Sequence, residues 1–104
     1  MSDFEVNDMA RIANEIMEWA DEVIPNRTAA DAIKKLSMEE VPELWRCVRE
    51  TGKVDPGEIA DVLILALDVC VMSGIDPLTA IKEKMAINRQ RTWKYTHGVL
   101  QHED

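Results

Sequence analysis

The stretch GEIADVLILALDVCVMSG, Gly57 to Gly74, decides the fold. Its apolar residues fall on every side of a helix, yet Glu58, Asp61 and Asp68 interrupt them. Asp55-Pro56 just before it offers an N-cap and a first-turn proline. Gly74-Ile75 offers a Schellman stop, so one helix is predicted between the two signals. The longest uninterrupted apolar run, Val62 to Leu67, is far short of the roughly 20 residues that span a bilayer. The helix is therefore expected to be buried in protein. An ionised carboxylate in such a place is costly unless it is paired or binds a metal.

At about 100° per residue, Asp61 and Asp68 point almost the same way, with Glu58 about 60° from Asp61. The preceding segment KLSMEEVPEL carries a matching set, Glu39, Glu40 and Glu43, with Glu40 and Glu43 again spaced i, i+3. Two helices that face each other with ExxE and ExxD gather four carboxylates. Oxygen ligands without His or Cys select Mg²⁺ or Mn²⁺. Plainer readings stand beside this one. Glu58 suits a capping-box partner of Asp55, and the three glutamates of KLSMEEVPEL suit a solvated face. Arg46 or Arg49 would serve as cationic partners of the buried aspartates.

Further out, the remaining helices follow from periodicity. Met9, Ile12, Ala13, Ile16, Ala20, Val23 and Ile24 predict a first amphipathic helix over about residues 3–23, broken at IPNRT. Thr28 with Asp31 forms a capping box for a second helix, which ends before Gly52. Asp76-Pro77 starts a fourth helix, predicted to reach about Trp93. Within IKEKMAINRQRTW, Lys84, Asn88 and Arg91 form one polar stripe of donors suited to phosphate oxygens, or an ordinary solvated face. The end, KYTHGVLQHED, lacks periodicity and is read as a mobile arm. No strand pattern, repeat or linker is evident. The expectation is one all-α domain over residues 1–104: an N-terminal helix and loop (1–27), a core with the acidic motif (28–95) and a mobile tail (96–104).

Composition narrows the function classes. The 20 acidic and 12 basic side chains leave a formal net charge of −8, which disfavours a nucleic-acid duplex or an anionic membrane but not divalent cations. A lone domain of 104 residues buries only about two thirds of its unfolded surface, so further burial in a homo-oligomer is expected. The opening MSDFEVND has no apolar signal-peptide core. Cys47 and Cys70 lack a CxxC or His neighbour and are read as reduced core cysteines of a cytoplasmic protein. Three function classes follow: an enzyme acting on a metal-bound polyphosphate, a non-catalytic helical interaction module, and a carboxylate-metal redox bundle. The last normally uses Glu-x-x-His, which neither His here fits.

The ordered set EEVPEL and EIADVLILALD, with 14 residues from Leu44 to Gly57 between Glu43 and Glu58, resembles the ExxE…ExxD signature of the MazG-like, all-α nucleoside triphosphate pyrophosphohydrolases. GIDPLTAIKEKMAINRQRTW is similar to that family's C-terminal Lys–Asn–Arg helix. The resemblance implies a four-helix bundle that assembles as a dimer or dimer of dimers. It implies cleavage of (deoxy)nucleoside triphosphates between the α and β phosphates, a role in cleaning the nucleotide pool, and Mg²⁺, with Mn²⁺ as a substitute. Glu40, Glu43, Glu58 and Asp61 match its metal ligands and Glu39 a general base. Lys84, Asn88 and Arg91 match residues at the phosphates. LALD and R-x-W look most like the phage-type dATP/dGTP diphosphohydrolase branch, with Trp19 and Asp68 as base-binding residues. Trp45 is core or rim. Pro42 departs from the family, which usually has a small residue there. A proline inside a helix costs roughly 3 kcal/mol or more, so a kink or break is expected at Met38–Pro42.

Overall fold

A computed structural model describes the backbone of residues 2–103 and the side chains of residues 8–103. The chain order is α1 (Ser2–Val23), α2 (Ala29–Lys35), a π-helical turn (Leu36–Glu40), α3 (Val41–Thr51), α4 (Pro56–Met72), α5 (Pro77–Gln90), β1 (Trp93–Thr96) and β2 (Val99–His102). α2, α4 and α5 each start where a cap predicts. The Thr28 hydroxyl accepts from the Asp31 N–H at 3.1 Å, and the Asp31 carboxylate accepts from the Thr28 N–H at 2.9 Å. Asp55 caps α4 by accepting from the N–H groups of Gly57 and Glu58. Asp76 accepts from the Thr79 N–H at the start of α5. The end of α4 is a Schellman motif: Ile75 N–H donates to Cys70 O at 2.8 Å and Gly74 N–H to Val71 O at 3.1 Å. Gly74 makes this possible with φ of 68°, a left-handed backbone that other residues resist.

The expected interruption around Pro42 takes the form of the π turn. A proline has no N–H for the carbonyl four residues back, and its ring crowds that carbonyl. The chain widens by one residue instead, with Val41 N–H donating to Leu36 O, and Pro42 falls in the first turn of α3. What sequence reads as one helix is thus α2, the π turn and α3 in succession.

α4 is the central element. α1, α2, the π turn and α3 all pack against it, and α5 packs on α1. The apolar residues that reach full burial among the described ones are small: Ala13 and Ala20 of α1 and Ala32 of α2. Large apolar side chains, among them Ile12, Leu63, Ile81 and Trp45, stay exposed. Cys47 and Cys70 are free thiols, as expected, but half-buried rather than in the core.

The C-terminal segment corrects the sequence reading. α5 ends at Gln90, short of Trp93, and an antiparallel hairpin follows where a structureless arm was expected, with Trp93 opposite His102 and Thr96 opposite Val99. His97 and Gly98 turn the chain with φ of 53° and 75°, the positive pair a tight hairpin turn requires. Trp93 Nε1–H donates to Asn88 O at 2.9 Å, a carbonyl in the last turn of α5 that also accepts from the Arg91 N–H at 3.2 Å. Asp104 lies outside the described residues. Among the described residues no helix is long and apolar enough to cross a membrane.

Candidate metal centre

Glu40 comes from the π turn, Glu43 from the first turn of α3 and Glu58 from the first turn of α4. Each offers one carboxylate oxygen, and these oxygens all lie within 4.8 Å of one another. Glu40 is only 8% exposed, and Glu40 Oε2 and Glu58 Oε2 are both buried without a hydrogen-bond partner. Three acids this close repel. Desolvation first, then the charges of Glu43 and Asp61, raise the Glu58 carboxyl above its ordinary pKa. Buried carboxylate oxygens that converge without donors fit a hard divalent cation, which supplies the charge they lack.

The other expected ligand, Asp61, is exposed one turn beyond Glu58. It is close enough for its charge to act on Glu58, but it stands outside the trio. Glu39 is also exposed. Lys35 Nζ sits 3.5 Å from Glu39 Oε1 and 3.3 Å from Glu40 Oε1. Those contacts, Glu40 foremost, raise the lysine's pKa.

The expected phosphate stripe is only partly helical. Lys84 is exposed on α5, and Asn88 is half-buried with Oδ1 unpartnered and Nδ2 donating to Met85 Sδ at 3.9 Å. Arg91 leaves the line because α5 has already ended and its backbone is extended (φ −88°, ψ 152°). α5 packs on α1, whereas the carboxylates stand on the π turn, α3 and α4.

Asp68 serves a different end of α4. Arg27 grips it with two parallel bonds: Nε donates to Oδ2 at 2.8 Å and Nη2 to Oδ1 at 2.5 Å. Both side chains are buried, at 7% and 4% exposure, and Arg27 also donates to Asp21. The pair raises the guanidinium pKa further above its usual range, through the bonds to Asp68 and then Asp21. The cation that Asp68 requires is therefore Arg27, not Arg46 or Arg49. Beside this pair lies a cavity of about 310 Å³, walled by Ile16, Trp19, Ile24, Ile64 and Lys35. Trp19 and Asp68 thus line one cavity, while Trp45 stays exposed.

Arg27 and Lys35 escaped sequence reading. The partner of Arg27 lies 41 residues away, and no local signal links the two. Lys35 does carry one, since it precedes Glu39 and Glu40 by about one helical turn.

No protein-family model matches the chain. Two proteins named dATP/dGTP diphosphohydrolase are similar to it. That of Salmonella phage PMBT28 is 42% identical over 95 residues, 90% of this chain, which spans only 31% of that relative's length. That of Cyanophage S-2L is 40% identical over 95 residues, 90% of this chain and 87% of the relative. Among solved structures, the Cyanophage S-2L MazG-like pyrophosphohydrolase bound to dGDP and three catalytic Mn²⁺ ions per active site superposes with a TM-score of 0.77. It is 39% identical, and the match covers 92% of this chain and 97% of that one. Sequence likeness over nearly a whole relative, the shared all-α fold and the converging carboxylates lead to one family: this chain belongs to the MazG-like pyrophosphohydrolases, hydrolases acting on phosphorus anhydrides, beside the phage dATP/dGTP diphosphohydrolases.

Proposed function

We propose that this protein hydrolyses purine deoxynucleoside triphosphates between the α and β phosphates, giving a monophosphate and pyrophosphate, with Mg²⁺ or Mn²⁺ as cofactor. The observation that carries the reading is the trio Glu40, Glu43 and Glu58, with two buried oxygens lacking any donor. On a family fold whose solved cyanophage member holds dGDP and Mn²⁺, such a trio is a metal site rather than a solvated face. A structural interaction module gives no reason to leave those oxygens unpaired.

Glu40, Glu43 and Glu58 would hold the cation, with the exposed Asp61 as a further ligand. A divalent cation bound there polarises phosphoryl oxygens and lowers the pKa of a coordinated water. Glu39, exposed beside the trio, accepts the proton from the attacking water. Water adds its oxygen to one phosphorus, and the bridging oxygen departs with the other fragment. Lys84, Asn88 and Arg91 bind phosphate oxygens and spread the charge of the leaving pyrophosphate. Trp19 packs on the base at the mouth of the cavity, and Asp68 shapes its wall through Arg27.

The protein acts as a homodimer or homotetramer. The exposed apolar side chains of α4 and α5, such as Leu63 and Ile81, support this, because a monomer leaves them in water. Its place is the cytoplasm, in nucleotide-pool cleaning, with neither a nucleic-acid duplex nor a membrane as partner. The test is a panel of all common NTPs and dNTPs, with Mg²⁺ or Mn²⁺, assayed for pyrophosphate and for orthophosphate. The expected result is metal-dependent pyrophosphate release, strongest for purine deoxynucleotides. Equal turnover of ribonucleotides overturns the sugar preference, and no pyrophosphate from any substrate overturns the activity.

A further inference from the structure

Lys35 has no part in the ligand set above, yet it stands against it. Its ammonium lies 3.3 Å from Glu40 Oε1 and 3.5 Å from Glu39 Oε1. The second Glu40 oxygen, Oε2, is buried and unpartnered. Glu40, one of the three converging carboxylates, is thus held by one oxygen while the other is without a partner. The backbone produces this arrangement. In a straight α-helix a residue five positions on lies about 140° round the axis, out of line with a lysine at the first position. The wider π turn over Leu36–Glu40 rotates that residue back toward the line of its predecessor, so one ammonium reaches Glu39 and Glu40 together. Lys35 also walls the cavity that Trp19 and Asp68 line.

We propose that Lys35 is a positioning residue for the metal centre: it holds Glu40 Oε1 so that Oε2 is presented to the divalent cation. The proposal rests on the metal-centre reading above. Charge alone predicts the opposite behaviour. A lysine beside a cation site repels the cation, so its removal should tighten metal binding. An outer group that orients a ligand has the reverse effect, and its loss typically costs about 10–100-fold in metal affinity.

The two signs separate in one experiment. Mn²⁺ affinity of the nucleotide-free protein is measured by the electron paramagnetic resonance of unbound Mn²⁺, for wild type, Lys35→Gln and Lys35→Arg, with circular dichroism to confirm folding. Lys35→Gln is expected to bind Mn²⁺ about tenfold more weakly or worse, and Lys35→Arg to recover most of the loss. Lys35 is half-exposed, and Lys35→Met, which keeps the apolar stem, carries the same prediction should the Gln variant not fold. Affinity unchanged or tighter in the Gln or Met variant, with wild type binding normally, overturns this role for Lys35 alone. Absence of Mn²⁺ binding by wild type overturns the metal-centre reading and this inference with it.

Discussion

Glu58 and Asp68 stand on the same helix, ten positions apart, and the chain treats them in opposite ways. Asp68 is 3% exposed, and Arg27 takes both of its oxygens with two parallel bonds. Glu58 meets other carboxylates, Glu43 and Glu40, and keeps a buried oxygen with no donor at all. One end of α4 is neutralised by the chain itself. The other end is left electrically incomplete. A buried charge pair specifies how α1, α2 and α4 meet, whereas the trio, with Lys35 on one Glu40 oxygen as its protein cation, keeps repulsion that an added cation relieves. Burial alone does not distinguish the two ends; a buried carboxylate oxygen left without a donor does.

The contrast is most exposed to test at its functional end. Glu58→Gln should abolish metal-dependent hydrolysis, by more than the roughly 10–100-fold typical of outer-shell changes, while the metal-free variant melts at or above the wild-type temperature. Pyrophosphate release and a calorimetric scan read the two outcomes. A Glu58→Gln protein that retains activity, or that is strongly destabilised, makes Glu58 another structural acid like Asp68.

The structural end predicts a loss of stability. Arg27→Ala strands the buried Asp68 charge and should cost about 3–5 kcal/mol, read from denaturant midpoints. The double change Arg27→Met with Asp68→Leu should recover most of it, because apolar groups of similar size need no partner. A single variant as stable as wild type would show that solvent reaches Asp68 after all.

A smaller effect comes from the metal. Wild type should gain about 2.7 kcal/mol at a Mn²⁺ concentration one hundred times its dissociation constant, visible as a raised melting temperature that EDTA reverses. Arg27→Ala should keep that increment and Glu58→Gln should lose it. Equal increments in both variants dissolve the distinction between the two ends.

The smallest effect is in the pH profile of the metal-free protein. The Glu58 pKa is raised in the folded state, so the folded protein binds more protons than the unfolded chain. Stability should therefore fall as pH rises from the ordinary glutamate value through the raised one. Asp31 has the opposite sign. The Thr28 N–H and then the Thr28 hydroxyl lower its pKa, so its contribution is present above the ordinary aspartate value and is lost as pH falls through the lowered one. Melting against pH should lose the first slope in Glu58→Gln and the acid limb in Asp31→Asn.

Much of this molecule was legible because its signals are local. Thr28-x-x-Asp31, Asp55-Pro56, Asp76-Pro77 and Gly74-Ile75 act within one helical turn, and each starts or stops a helix where it stands. The i, i+3 acids were legible for the same reason, and Glu40, Glu43 and Glu58 do converge. The hairpin was missed because its turn uses His97-Gly98 rather than the Asn-Gly or Asp-Gly that usually marks such a turn. Its strands are only four residues each, too short to show a period.

The sequence by itself determined the helices, their caps, the disruption at Pro42 and the supply of carboxylates, since all of these depend on neighbours within about one turn of chain. Tertiary structure decided what each acid became. The packing of α1 and α2 on α4 brought Arg27, in the loop between them, to Asp68, while Glu58 met other carboxylates. The π turn set Glu40 between Lys35 and the cluster. Partners distant along the chain are chosen by how helices pack, and the cost of a buried charge depends on that choice rather than on the residue's own identity.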